Sequence, residues 1–120
     1  FNTVIYGHHM NNGTMFSDLI KYKDKNFYDT HKYVSFNTLN DNRKYIVVYA
    51  FVSDVNKKNS FEYYNVNIWK NKKKKYIKQL EKIKLYDTGE KISLKDKLLT
   101  LSTCDNTNKN SRMVIVCKLI

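Results

Sequence analysis

The chain reads as a mixed β-barrel of the α+β kind with peripheral helices, and three observations predict it. Its 120 residues, 42% of them hydrophobic, suffice for one core rather than two independent ones. Several short runs rich in β-branched and aromatic residues are joined by only two or three segments of helical periodicity. No proline, low-complexity linker or internal repeat interrupts that order, so residues 1–120 are read as a single domain.

The elements follow in sequence. Thr3 to Tyr6 is a β-rich run closed by Gly7, a strand ending at a turn. Because Phe1 opens on a strand already under way, further residues are expected upstream. Asn11, Asn12 and Gly13 form a polar turn. Thr14 then caps a helix whose apolar face carries Met15, Phe16, Leu19, Ile20 and Tyr22. A short helical turn over Asn26 to His31 leads to a strand over Tyr33 to Asn37 and a polar turn at Asn40 to Asn42. Tyr45 to Val52 has the composition of a strand in the middle of a sheet. Phe61 to Trp69 alternates in part and reads as a further strand.

Lys72 to Leu85 sets Tyr76, Ile77, Leu80 and Ile83 at helical spacing, an amphipathic helix whose lysines read as solvated surface. Asp87 to Gly89 is a turn, and Ile92 to Lys95 a short strand or bridge. Leu98 to Cys104 is a strand, Asp105 to Ser111 a polar loop, and Arg112 to Ile120 the closing strand.

Composition narrows the function classes. A net charge of +11 calls for an anionic partner, but lysine and asparagine crowd the whole chain, which reads as a global bias. No nucleic-acid recognition motif accompanies the charge, so no nucleic-acid partner is expected. Two cysteines in no metal-binding spacing give neither a disulfide scaffold nor a zinc site, and no metal or other cofactor is expected. No run approaches the roughly 18 apolar residues that span a bilayer.

Two segments near the end concentrate the chemistry. Cys104 closes an apolar strand and opens a polar loop, which sets its sulfur at a sheet rim, whereas Cys117 lies inside the apolar run Met113 to Leu119. Both a nucleophile and an inert thiol fit Cys104 on that ground alone. A hairpin through Asp105 to Ser111 brings Arg112 opposite Cys104. There a guanidinium favours a thiolate and donates to an oxyanion; a charge facing water is the plainer reading. His8 and His9 both follow the Gly7 turn and suit proton exchange near neutral pH, while His31 reads as a surface residue. The residues themselves do not choose between His8 and His9.

Three segments in this order resemble class B sortases. Thr3-Val4-Ile5-Tyr6-Gly7-His8-His9-Met10, with Met15-Phe16, is similar to their histidine segment. Leu99-Thr100-Leu101-Ser102-Thr103-Cys104 resembles their cysteine segment, and Arg112-Met113-Val114-Ile115-Val116 their arginine strand. The resemblance implies a sortase β-barrel whose first strands, helical extension and membrane anchor lie outside this chain, so that contact with a membrane comes only through that anchor. It also implies a cysteine transpeptidase at the outer face of the cell membrane and the wall of a Gram-positive bacterium.

In that family the histidine directly after glycine acts, which selects His8. The implied reaction cleaves an NPxTx-like sorting motif after threonine through a thioacyl enzyme on Cys104, with Arg112 holding substrate and oxyanion. An amino group of peptidoglycan or its precursor then accepts the sorting-signal-bearing surface protein. The same resemblance implies substrate contact at Ser102 and Thr103, and at Tyr63 or Tyr64 beside an inserted helix. A cysteine protease or hydrolase using the same groups is the nearest alternative, and a noncatalytic basic binding module is the alternative of another class.

Overall fold

The computed structural model describes residues 2–7, 19–38, 41–54, 70–93, 95–104 and 111–120. Five strands and three short helical elements occupy them: β1 (Asn2–Gly7), a 3-10 helix (Leu19–Lys23), α1 (Lys25–Thr30), β2 (Tyr33–Thr38), β3 (Asp41–Asp54), α2 (Lys70–Ile83), β4 (Leu98–Cys104) and β5 (Ser111–Leu119). The strands form one mixed sheet in the order β1-β4-β5-β3-β2. β1 runs parallel to β4, while the β4–β5, β5–β3 and β3–β2 ladders are antiparallel.

Burial on both faces explains why β3, β4 and β5 read as nearly continuous apolar runs rather than alternating ones. On one face Leu99, Leu101, Met113, Ile115, Cys117, Val47 and Ala50 pack against Leu19, Tyr22 and Tyr28 of the 3-10 helix and α1. On the other, Leu98, Val114, Val116, Val48, Tyr49 and Phe51 meet Tyr76 and Leu80 of α2, together with Ile92. Among the described residues the sheet is therefore the middle of three layers.

A register shift between Val47 and Tyr49 marks a β-bulge in β3. It sends two successive residues, Val48 and Tyr49, into the same core. The carbonyl of Val48 accepts a hydrogen bond from the Thr88 hydroxyl at 2.8 Å, so a chain segment outside the sheet satisfies the bulge. Two residues further on, the Ala50 carbonyl accepts from the Leu85 backbone N–H at 2.8 Å.

Local chemistry sets the helix ends. The Asp24 side chain accepts the Asn26 backbone N–H at 2.9 Å and caps α1. At its other end the His31 N–H donates to the Tyr28 carbonyl, and the exposed imidazole stacks on Phe27 with 3.9 Å between ring centroids. The surface reading of His31 holds. Gly89 adopts φ +79° in the expected turn, and its N–H donates to Asp87 Oδ1 at 2.9 Å.

Several element ends shift by a residue or two, α2 running over Lys70–Ile83 where Lys72 to Leu85 is expected, and three readings differ in kind. Asp41 and Asn42 belong to β3, because Thr38 pairs with Asp41 and the ladder runs to the very end of the hairpin. Ile92, Ser93 and Lys95 belong to no strand: Ser93 and Asp96 hydrogen-bond each other, the Ser93 N–H to Asp96 Oδ2 and the Asp96 N–H to the Ser93 carbonyl. Of the helix expected from Thr14, the described part is the tighter 3-10 helix Leu19–Lys23. The strand expected over Phe61 to Trp69 lies outside the described residues.

Candidate active site

β4 ends at Cys104, and in the antiparallel ladder Cys104 pairs with Arg112, the second residue of β5. The hairpin expected from the sequence is therefore the one observed. Register partners in an antiparallel pair share a face of the sheet, with Cβ atoms about 4.5–5.5 Å apart. On its far side Arg112 pairs with Ser53 of β3, which is 9% exposed. Arg112 thus stands between Cys104 and a nearly buried hydroxyl residue, partly exposed itself, and its Nη1 donates to the Ser111 carbonyl at 3.1 Å.

The parallel neighbour supplies the third approach. Gly7, the last residue of β1, pairs with Thr103, the residue immediately before Cys104. In sequence His8 is the next residue after Gly7. His8 and His9 themselves lie outside the described residues, as do Tyr63 and Tyr64. What the fold does bring together is the carboxyl ends of two parallel strands: one leads into the histidine pair, the other ends at the cysteine.

Ser102 and Thr103 lie in β4 and are both fully buried. The Thr103 hydroxyl has no hydrogen-bond partner among the described residues. Contact between substrate and either side chain therefore requires that the groups covering them part on binding.

The second thiol is a different case. Cys117 is fully buried in the core that faces the 3-10 helix and α1, paired with Leu99 and Val47. Burial pushes its thiol far above the usual range, so it stays protonated and inert.

Sequence reasoning missed two parts of this arrangement. The place of Ser53 beside Arg112 depends on the β3–β5 register, which the Val47/Tyr49 bulge shifts. The Gly7–Thr103 pairing joins the first strand to the fourth in parallel, and no short-range pattern encodes such a pairing.

Comparison with known proteins decides what this arrangement belongs to. Residues 2–120 match the sortase domain family. The chain belongs to the sortase family. Its likeness within the family is to class B members: it is 35% identical over 124 residues to a sortase B of Listeria monocytogenes, covering 99% of this chain and 48% of that protein. A sortase B from the type II pilus of Streptococcus pneumoniae superposes with a TM-score of 0.84 at 30% identity, covering 99% of this chain and 67% of that one. A Staphylococcus aureus sortase B–substrate complex superposes with a TM-score of 0.85 at 25% identity, covering 99% and 55%. The expected sortase β-barrel fold is thus the fold shared with these structures. The chain spans about half the length of the curated relatives it matches.

Proposed function

We propose that this chain is the catalytic part of a class B sortase transpeptidase, with Cys104 as nucleophile, His8 as acid and base, and Arg112 as charge stabiliser. The observation that carries the reading is the register at the end of β4, with Cys104 opposite Arg112 and Thr103 opposite Gly7. That register supports the reading because an acyl transfer needs a thiolate, a cation and a proton carrier at one strand end.

In the proposed reaction the Cys104 thiolate attacks the threonine carbonyl of a sorting peptide of the NPxTx kind. The oxyanion that forms is stabilised by the Arg112 guanidinium, which donates hydrogen bonds and carries a permanent charge. Collapse breaks the C–N bond, the leaving amine takes a proton from His8, and a thioester remains on Cys104. An incoming amine gives a proton to His8 and attacks the thioester, forming the new amide and releasing the thiolate. The acceptor is an amino group of peptidoglycan or its precursor, and the donor a sorting-signal-bearing protein at the wall of a Gram-positive bacterium. The solved Staphylococcus aureus sortase B–substrate complex supports a substrate-binding role at this fold. Ser102, Thr103, Tyr63 and Tyr64 belong to the proposal as substrate neighbours.

Incubating the intact enzyme with a fluorescent NPxTx-type peptide, with and without an amine, tests it. A ligated product that grows with amine concentration, and that Cys104→Ala abolishes without unfolding the protein, is the expected result. Hydrolysis alone at every amine concentration makes the protein a thiol hydrolase. A Cys104→Ala variant as active as the parent removes the site altogether.

A further inference from the structure

α2 carries seven lysines and one glutamate, an excess of six within a chain whose net charge is +11. More than half of that net charge therefore sits on one helix, which the composition had disguised as a global bias. Its apolar side is already occupied: Tyr76 and Leu80 are buried in the sheet core, with Ile77 and Ile83 packed beside them. Lys74, Lys75, Lys78 and Lys82 are exposed on the opposite side. At 3.6 residues per turn they fall within an arc of about 100°, and Lys74, Lys78 and Lys82 succeed one another at intervals of about 6 Å along the axis.

None of the four has an acidic partner among the described residues. The helix's one carboxylate, Glu81, is held by the Tyr49 hydroxyl, by Lys84 at 2.7 Å and by Lys91 at 3.3 Å. A file of like charges on adjacent turns is mutually repulsive, and a multivalent anion relieves that repulsion.

We propose that the Lys74–Lys75–Lys78–Lys82 ridge binds a linear phosphodiester polymer lacking bases, of the polyol phosphate kind. Single-file cations about 6 Å apart match a flexible chain bearing one charge per short repeat. Tyr76, the aromatic residue of α2, is turned into the core, so among the described residues the ridge lacks the stacking platform that single-stranded nucleic acid uses. Tyr76 and Leu80 are buried in the sheet core with Ile77 and Ile83 packed against it, so the apolar side of α2 faces the sheet and not the side that carries the ridge. The proposal stands apart from the catalytic reading, because none of these lysines belongs to the site around Cys104.

Binding of poly(glycerol phosphate) to the intact protein, followed by fluorescence anisotropy between about 50 and 200 mM salt, tests it. The Lys74→Gln/Lys75→Gln/Lys78→Gln/Lys82→Gln variant is compared with Lys32→Gln/Lys44→Gln/Lys95→Gln/Lys97→Gln, which removes the same charge from exposed lysines elsewhere. With helicity by circular dichroism unchanged, the ridge variant is expected to lose at least about tenfold in affinity. It should also lose about 3 from the slope of log K against log salt, four contacts at roughly 0.7 each. The control variant is expected to lose far less. Equal losses in the two variants overturn the proposal in favour of diffuse charge. Tighter binding of oligo(dT) or of phosphatidylglycerol vesicles than of the polymer, with the same dependence on the ridge, overturns the assignment of partner.

Discussion

Replacing Arg112 by glutamine leaves a hydrogen-bonding side chain at the register position opposite Cys104 and removes the charge. Antiparallel register partners have Cβ atoms about 5 Å apart. In the proposed reaction the guanidinium reaches the developing oxyanion; a separation of about 5 Å, taken for the calculation, at an effective dielectric near 20 corresponds to about 3 kcal/mol. At 1.36 kcal/mol per decade that is about 10²-fold in rate, within the range of about 10²–10³ for loss of one oxyanion donor. Arg112→Gln is therefore expected to lower kcat/KM for peptide ligation about 10²-fold, chiefly through kcat. Arg112→Lys restores the charge without the planar fork and should recover only part of that loss. Folding should be nearly unaffected, because Arg112 is partly exposed at the start of β5. The assay is steady-state ligation together with thermal unfolding of each variant. Activity within about threefold of the parent in a folded Arg112→Gln variant refutes the charge-stabiliser role, since removing a full charge at that separation leaves no room for so small an effect.

Cys117→Ala should keep full ligation activity while lowering stability by about 1–2 kcal/mol, as a buried sulfur leaves a small cavity; normal folding with lost activity means that the nucleophile is misassigned. Thr88→Val removes the hydroxyl that satisfies the Val48 carbonyl at the β3 bulge and should cost about 1–2 kcal/mol in urea unfolding, with an unchanged midpoint showing that another group takes over that carbonyl. The Glu81 carboxyl is held down from 4.5 to about 2, first by Lys84 and then by the Tyr49 hydroxyl. Its folded value lies below its unfolded one, so the stability it confers is present above about pH 4.5 and disappears as pH falls toward 2. Glu81→Gln should flatten the stability profile in that window, and an unaltered acid limb shows that other carboxylates set it.

Much of this fold was legible because its informative segments are local. β4 and β5 carry apolar runs bounded by polar residues, and a single loop joins them, so pairing Cys104 with Arg112 needed no long-range information. Gly89, with no Cβ to clash at φ +79°, and Asp87 announced their turn for the same reason. The failures lie where tertiary contacts outvote local composition. Asp41 and Asn42 have turn chemistry yet extend β3, since the ladder to β2 satisfies their backbone. Ile92 has strand chemistry, but it is buried in the core with α2 from outside any strand, just before Ser93 and Asp96 hydrogen-bond each other. Ser102 and Thr103 could be read as neighbours of the nucleophile, but not as buried, because burial depends on what crosses above them.

The two halves of the candidate site rest on contacts of different range. Cys104 and Arg112 are register partners across a hairpin whose short loop is cheap to close. Gly7, and with it the chain leading to His8, reaches Thr103 only through the parallel pairing of β1 with β4, a contact distant in sequence. Among the described residues β1 pairs with β4 alone, and Ile5 is its side chain packed against the core beneath. In the proposed reaction the nucleophile and the cation come from the β4–β5 ladder and the proton carrier from the chain that follows β1, so the reactivity of the sulfur is expected to be separable from turnover. Alkylation of Cys104 should then follow the integrity of β4 and β5, while ligation also follows the docking of β1.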